Sequence, residues 1–170
     1  MTPPPEMPKN VPLQLDDFFL STLHIEWVPI PTEGDFQFQS VNLRLTYELK
    51  SHSEKKNAYQ MALKMEGEEV CEKAPGSGLN FNATIVGQYR IEGVESPQQE
   101  AILARINGVS LLYSTFRGIL GSVSGAFQSG RFSLPSIDPR AIVADVEMKN
   151  AAKAKELEEV TNKSDPVPIL

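Results

Sequence analysis

The sequence contains very little cysteine, histidine and tryptophan, and it has no long apolar run. Only one of its 170 residues is cysteine, Cys71, which excludes an internal disulfide and gives no metal-binding pattern. No stretch approaches the roughly 20 apolar residues of a membrane-spanning helix. The first residues also lack the layout of a signal peptide and an acceptor glycine for lipidation. These absences predict a cytoplasmic protein without a metal centre and without direct membrane insertion.

An excess of positive charge is missing as well. The formal net charge is −6 and the pI is near 5.0, which argues against nucleic acid as a partner because phosphate binding needs a basic face. A chain of this length fits one domain with tails. We predict a disordered, proline-rich arm at residues 1–17, a folded domain at 18–159 and a flexible tail at 160–170.

Four segments have the pattern of antiparallel strands. LHIEWVPI at 23–30 is the first, and FQFQSVNLRLTYELK at 36–50 contains the second, in which apolar and polar residues alternate. The third is Ala58–Cys71, and the fourth is LNFNATIVGQYRIEG at 79–93. Short polar turns join the last three segments, so the sequence predicts an antiparallel sheet.

A long helix is predicted from Ser96 to Phe127. Ser96 can cap it, Pro97 suits the first helical position, and Gln99 completes a capping box with Ser96. Steps of three and four define an apolar stripe: Ile102, Ile106, Val109, Tyr113, Phe116, Leu120, Val123 and Phe127. A second helix is predicted at about 139–159. The fold class is therefore α+β, with a long helix covering one face of a four-stranded antiparallel sheet.

Small residues occupy the side of the long helix opposite this stripe. They are Ser110, Ser114, Gly118, Gly121 and Gly125. Glycine in a helix costs about 1 kcal/mol relative to alanine, so three glycines on one side need a reason. Close approach of another subunit is one reason, and we predict an oligomer interface here. A frayed second half of the helix is the alternative.

Several strings in this order resemble the SecB family of protein-export chaperones. They are IEWVP at 25–29, YRIEGVE at 89–95, LLYSTFRGILGSVSG at 111–125 and FSLPSIDP at 132–139, and the likeness covers roughly residues 20–148. The resemblance implies a four-stranded sheet with a long helix, paired into eight-stranded dimers that stack into a homotetramer. It also implies an ATP-independent holdase that keeps unfolded preproteins export-competent and delivers them to the SecA motor.

The resemblance is weaker at the residues that dock SecA. Glu26 matches one acidic docking position of the family, but Thr22 and Asn82 stand where export chaperones carry two other acids. We therefore expect SecA to be a possible partner rather than an assured one. A SecB-like chaperone dedicated to an antitoxin, or to another single partner, is the alternative.

A group of apolar residues is the candidate client site. It consists of Trp27, Phe36, Phe38, Phe127, Phe132 and Leu134. Apolar contact is non-directional, so a groove of this kind accepts many unfolded sequences. Burial in the core of their own subunit is the alternative interpretation of each of these residues.

No catalytic constellation stands out in the sequence. His24 and His52 are far apart and fit surface positions, and the Gly76-Ser77-Gly78 turn lacks the lysine of a phosphate loop. We predict that the chain is not an enzyme and needs no cofactor. Two other classes stay open: an enzyme of hot-dog type, whose helix comes early in the chain, and an adaptor for one folded partner.

Overall fold

Four strands and two helices make up the described fold. The computed structural model describes residues 13–29, 40–71, 74–94, 96–127 and 132–162, with the backbone alone at 157–162. The strands are β1 (Leu13–Val28), β2 (Ser40–Ser51), β3 (Ala58–Val70) and β4 (Gly78–Ile91). The helices are α1 (Pro97–Ser124) and α2 (Pro139–Asn162). The predicted α+β class and the four-stranded antiparallel sheet are both confirmed.

The strand order in the sheet is β1-β4-β3-β2, and every neighbouring pair is antiparallel. β1 and β2 are consecutive in sequence but lie at opposite edges. Both edges of the four-stranded sheet are free within the part of the chain that is described.

One face of the sheet packs against α1. Residues at alternate positions of β3 and β4 are fully buried there, including Met61, Leu63, Ala83 and Ile85. From α1, the residues Val109, Leu112, Phe116 and Leu120 are completely buried. Burying a large apolar side chain contributes about 1.5–3 kcal/mol, so this layer provides most of the stability.

Two glycines let α1 lie close to the sheet. A Cβ on Gly108 would approach the Tyr89 hydroxyl oxygen to 2.7 Å, and a Cβ on Gly87 would overlap the side chain of Leu112. The Tyr89 hydroxyl donates a hydrogen bond to the Ala104 carbonyl oxygen at 2.8 Å. The close approach thus satisfies a polar group that is only 1% exposed.

β1 begins earlier than the sequence predicts. Leu13 already pairs with Ile91, so the strand includes the last five residues of the arm predicted at 1–17. Register shifts between Leu15 and Asp17 and between Leu20 and Thr22 show two β-bulges. Each bulge interrupts the alternation of apolar and polar residues, which is why the pattern did not reveal a 16-residue strand. Residues 1–12 and 163–170 lie outside the described residues.

The helix details also differ from the prediction. Ser96 is the N-cap of α1, but its side chain makes no capping hydrogen bond and instead donates to the Gln98 amide oxygen at 2.9 Å. The predicted capping box with Gln99 is therefore not formed. Two members of the predicted apolar stripe, Ile102 and Val123, are 54% and 40% exposed.

Candidate functional site

The end of the sheet near Trp27 combines apolar residues with one carboxylate. Trp27 pairs with Leu79 of β4, while Val41 of β2 pairs with Glu69 of β3. The Glu69 carboxylate of β3 accepts a hydrogen bond from the Leu79 backbone N–H of β4 at 2.7 Å, which joins β3 to β4 at this end. Burial raises the pKa of the Glu69 carboxyl above its usual value, although the hydrogen bond from Leu79 opposes the shift.

The structure separates the predicted client residues into three groups. Trp27 and Phe127 are half-buried and pack against the edge of the core. Phe36 and Phe38 lie outside the described residues. Phe132 and Leu134 are 8% and 1% exposed, so they belong to the core of their own protomer.

The burial of Phe132 follows from the path of the chain after α1. The Ser124 hydroxyl accepts a hydrogen bond from the Phe132 backbone N–H at 2.8 Å, and the Tyr113 hydroxyl donates to the Pro135 carbonyl oxygen at 2.6 Å. These bonds hold residues 132–135 against α1. The centre of the Phe132 ring lies 6.3 Å from that of Phe81. Phe132 and Leu134 are therefore core residues, which was the alternative interpretation, and not part of the client site.

The small-residue side of α1 is mostly open in the protomer. Ser114, Gly118 and Gly125 are exposed, and Ser110 is half-buried. Gly121 is buried, so it contacts the protomer itself and is not available to a partner. At Gly118 an added Cβ would meet no atom within 4 Å, which shows open space above the helix.

Serine hydroxyls on this side of α1 do not point outward for bonding. The Ser114 hydroxyl donates to the Ser110 carbonyl oxygen at 2.8 Å, and the Ser122 hydroxyl donates to the Gly118 carbonyl oxygen at 2.9 Å. Their hydrogen bonding is thus satisfied by the helix backbone. What remains is a surface of small groups that another helix could approach closely.

β1 carries exposed apolar residues that the sequence reasoning missed. Phe18, Phe19 and Leu23 are 43%, 48% and 38% exposed on a free sheet edge. Single exposed apolar residues are common, but three within six positions of an edge strand are a feature of an interaction surface. The adjacent pair of phenylalanines next to two aspartates was the available signal in the sequence.

The outer face of the sheet is polar and of mixed charge. Glu26 is exposed there, opposite Asn80, while Thr22 pairs with Thr84 and His24 with Asn82. Ion pairs join Arg44 to Glu66 at 3.4 Å and Lys64 to Glu48 at 3.2 Å, all four side chains being more than half exposed. Such pairs contribute little stability, and they leave no field of a single sign on this face.

Two tyrosines connect the sheet to the helices. The Tyr59 hydroxyl donates to a Glu100 carboxylate oxygen of α1 at 2.5 Å, and the Tyr47 hydroxyl donates to Glu147 of α2 at 2.6 Å. The Glu147 carboxylate also forms an ion pair with Arg105, with 3.2 Å between Oε1 and Nε. Burial, with the hydrogen bond to Glu100, raises the pKa of Tyr59 to about 12, and burial likewise raises the pKa of Tyr47.

The described residues contain neither a metal-binding group nor a helix that could span a membrane. Among these residues no group of three or more His, Cys, Asp or Glu side chains could hold a metal ion, and Cys71 is buried. None of the helices that can be described is long and apolar enough to cross a membrane. The chemistry that the surfaces offer is apolar contact, backbone hydrogen bonding along free strand edges and weak ion pairing.

Comparison with known proteins bears on the fold. No family model matches the sequence, and no curated protein matches it. Among solved structures, the chain is similar to a SecB-like chaperone from Mycobacterium tuberculosis in complex with a ChAD peptide from the HigA1 antitoxin, at a TM-score of 0.56. The fold is SecB-like. The match covers 74% of this chain and 90% of the other at 12% identity, so it shows a distant likeness of fold.

A second solved structure is similar at a lower level. It is a protein of unknown function from Streptococcus agalactiae, with a TM-score of 0.44, 15% identity, and coverage of 73% of this chain and 97% of that one.

Proposed function

We propose that the protein is a chaperone that binds unfolded or non-native polypeptides without ATP, in the manner of SecB. The observation that carries this proposal is the SecB-like fold, which is shared over most of its length with a chaperone solved with a bound peptide. The exposed apolar residues of β1 and the apolar end of the sheet support it. A cytoplasmic location fits the proposal, since non-native chains are made there.

The proposed client site is the end of the sheet around Trp27. It consists of Trp27 and Phe127, which border the core, together with Phe36 and Phe38 from the segment that joins β1 to β2. Apolar contact with these side chains would bind many sequences, since burial of apolar surface is non-directional.

A dedicated partner is the second candidate function. The SecB-like chaperone of similar fold was solved in complex with a peptide from an antitoxin, which supports this candidate. In this chain the outer sheet face presents Thr22 and Asn82 where the resemblance calls for acids, so Glu26 alone is left for SecA. We therefore propose that any binding of SecA is weak and that it weakens further as the salt concentration rises.

We further propose a homotetramer built as a dimer of dimers through α1. The open surface above Ser114 and Gly118 supports this assembly, because a lone protomer gains nothing from helix glycines on an exposed side. Ser110 and Gly125 flank the same surface. Gly121 is left out, since it is buried within the protomer.

The client site is tested by replacing Trp27, Phe36 and Phe38 together with serine. We expect a folded protein of unchanged assembly whose affinity for an unfolded chain is lower by several kcal/mol, taking about 1.5–3 kcal/mol per buried side chain as the upper guide. Circular dichroism and an aggregation-suppression assay on one sample provide the readout. Undiminished suppression by a folded variant would refute the site.

Phe132→Ser is the matched control for this experiment. Phe132 is of the same residue type but lies in the core, so its replacement should lower the free energy of unfolding by about 3–5 kcal/mol. If the triple variant unfolds as this control does, the three residues are core residues and the client site lies elsewhere.

A further inference from the structure

The outer face of the sheet has a cavity at the end beside the turn between β2 and β3. Its volume is about 710 Å³, which lies within the range of roughly 300–1,000 Å³ that small-ligand sites occupy. Its charged lining consists of three cations, Lys50, Lys55 and Arg90, and one carboxylate, Asp16. The outer face as a whole is of mixed charge, but this end of it therefore has an excess of positive charge.

Strand pairing places the side chains of the cavity in two adjacent rows. Lys50 of β2 pairs with Gln60 of β3, and Gln60 pairs with Gln88 of β4, so these three form one row on the outer face. In the next row Ala58 of β3 pairs with Arg90 of β4. Because Ala58 ends at a methyl group, it leaves room for a ligand between the longer side chains around it.

The turn fixes His52 as a hydrogen-bond donor beside the lysines. Its Nδ1 accepts hydrogen bonds from the backbone N–H groups of Glu54 at 3.1 Å and Lys55 at 3.2 Å. Because Nδ1 is an acceptor, the neutral ring carries its proton on Nε2. The His52 backbone N–H donates to the Ala58 carbonyl oxygen at 2.8 Å, which closes the turn. This wall of the cavity is thus preformed, and it includes the imidazole Nε2–H.

The three cations differ in what they are free to bind. The Asp16 carboxylate accepts hydrogen bonds from Nε and Nη2 of Arg90, each at 2.8 Å, and Arg90 forms a second ion pair with Glu92 at 3.8 Å. Hydrogen bonding to Arg90, aided by the charge of Lys55, holds the pKa of Asp16 below its usual value. Lys50 and Lys55 form no ion pair with another described residue. They are the cations left for a ligand.

We propose that this cavity binds a small molecule carrying phosphate groups, held between the ammonium groups of Lys50 and Lys55. A phosphate monoester has about 1.5–2 negative charges at neutral pH, which matches two lysines without ion-pair partners. Lysine binds phosphate as a point charge, whereas the flat fork of Arg90 is already occupied by a carboxylate. The His52 Nε2–H and the side-chain amides of Gln60 and Gln88 supply uncharged donors for the remaining phosphate oxygens.

This site is separate from the surfaces assigned above. It lies on the sheet face opposite α1, and Arg90 is near the end of β4, whereas Trp27 pairs with Leu79 at the beginning of that strand. The inference therefore goes beyond the proposed function and does not depend on it.

The test is calorimetric titration of the full chain with inorganic pyrophosphate. Lys50→Gln and Lys55→Gln should each raise the dissociation constant about fivefold, because each removes one charge-assisted contact at a solvent-exposed site. The double variant should bind more weakly than either. His52→Asn should also weaken binding, since asparagine can still accept the hydrogen bonds of the turn but lacks the Nε2–H donor. Circular dichroism shows that each variant is folded.

Lys64→Gln is the matched control, because Lys64 is an exposed lysine of β3 on the same face and does not line the cavity. It should leave the dissociation constant unchanged, and an equal loss in this variant would show that pyrophosphate binds exposed lysines in general, which overturns the site. No measurable binding to the wild type would overturn it as well. Tighter binding of a tetraglutamate peptide, or of phosphatidylglycerol vesicles, would contradict a small phosphate ligand. Aggregation suppression by the double lysine variant should equal that of the wild type, so a failure here is distinct from a failure of the chaperone function.

Discussion

Replacement of Gly118 by leucine separates the stability of the protomer from its assembly. Gly118 lies on the exposed side of α1, and an added Cβ there meets no atom within 4 Å. The protomer can thus accept a large side chain at this position. A partner helix cannot, because contacts through small residues keep helix axes about 8 Å apart and larger side chains push them towards about 10 Å.

The two effects have opposite signs. Leucine has a higher helix propensity than glycine by about 0.8–1 kcal/mol, so the protomer should become slightly more stable. For a domain of this size that gain corresponds to a rise of roughly 2–4 °C in the melting temperature. The assembly should meanwhile dissociate into dimers, since the side chain obstructs the contact between helices.

Sedimentation velocity and thermal circular dichroism on the same sample provide the assay. Gly118→Ala is the control, because one methyl group captures most of the propensity gain with little obstruction. Gly121→Leu is not a suitable probe, since Gly121 is buried and its replacement would perturb folding. A Gly118→Leu protein that keeps the wild-type tetramer would refute the assignment of this surface to assembly.

Three further predictions concern stability, each measured by denaturant unfolding. The pKa of Tyr59 is raised to about 12 by burial and by the hydrogen bond to Glu100. The contribution of this tyrosine to the free energy of unfolding is therefore full below about pH 10 and is lost as the pH rises from about 10 to 12. In a Tyr59→Phe variant the free energy of unfolding should fall less steeply between about pH 10 and 12 than in the wild type. An equal slope in the two proteins would contradict this. Ser124→Ala removes the acceptor for the buried Phe132 N–H and should cost about 1–3 kcal/mol, whereas no loss would mean that water replaces the bond. Gly67→Ala should lower the free energy of unfolding by about 1–3 kcal/mol, because the added Cβ would overlap the ring of Phe81 in β4. An unchanged free energy of unfolding would show that this ring moves freely.

The sequence predicted the elements whose side chains alternate over most of their length. β2 keeps one face apolar and one face polar throughout, and β3 and β4 do so over most of their residues, so their period of two was visible. Most of the length of α1 was visible for the corresponding reason, because its apolar residues recur at helical spacing. The fold class followed from the order of these elements.

The start of β1 could not be predicted in this way. Phe18 and Phe19 are adjacent and point to opposite faces of an edge strand, and the bulge at each side of them shifts the pattern by one residue. Alternation therefore fails over this part of the strand. The exposed apolar edge became visible only when the pairing with β4 was known.

The candidate site was predicted in part, and the remainder depends on tertiary contacts. Nothing in the spacing of Phe132 or Leu134 reveals that both are buried, or that the Phe132 backbone N–H is bonded to Ser124 of α1. The burial of Gly121 likewise depends on neighbours outside α1. Trp27 and Phe127 do lie at the border of the core, where the proposed client site is placed.

The central claim is that this chain binds non-native polypeptides, and aggregation suppression tests it most directly. A chemically denatured model protein is diluted into buffer with the purified chain, without nucleotide, and light scattering is followed over time. The account predicts that scattering falls as the chain is added in increasing ratio, and that the native form of the same model protein is not bound. Unchanged scattering at a molar excess of the chain, or equal binding of the native form, would contradict it.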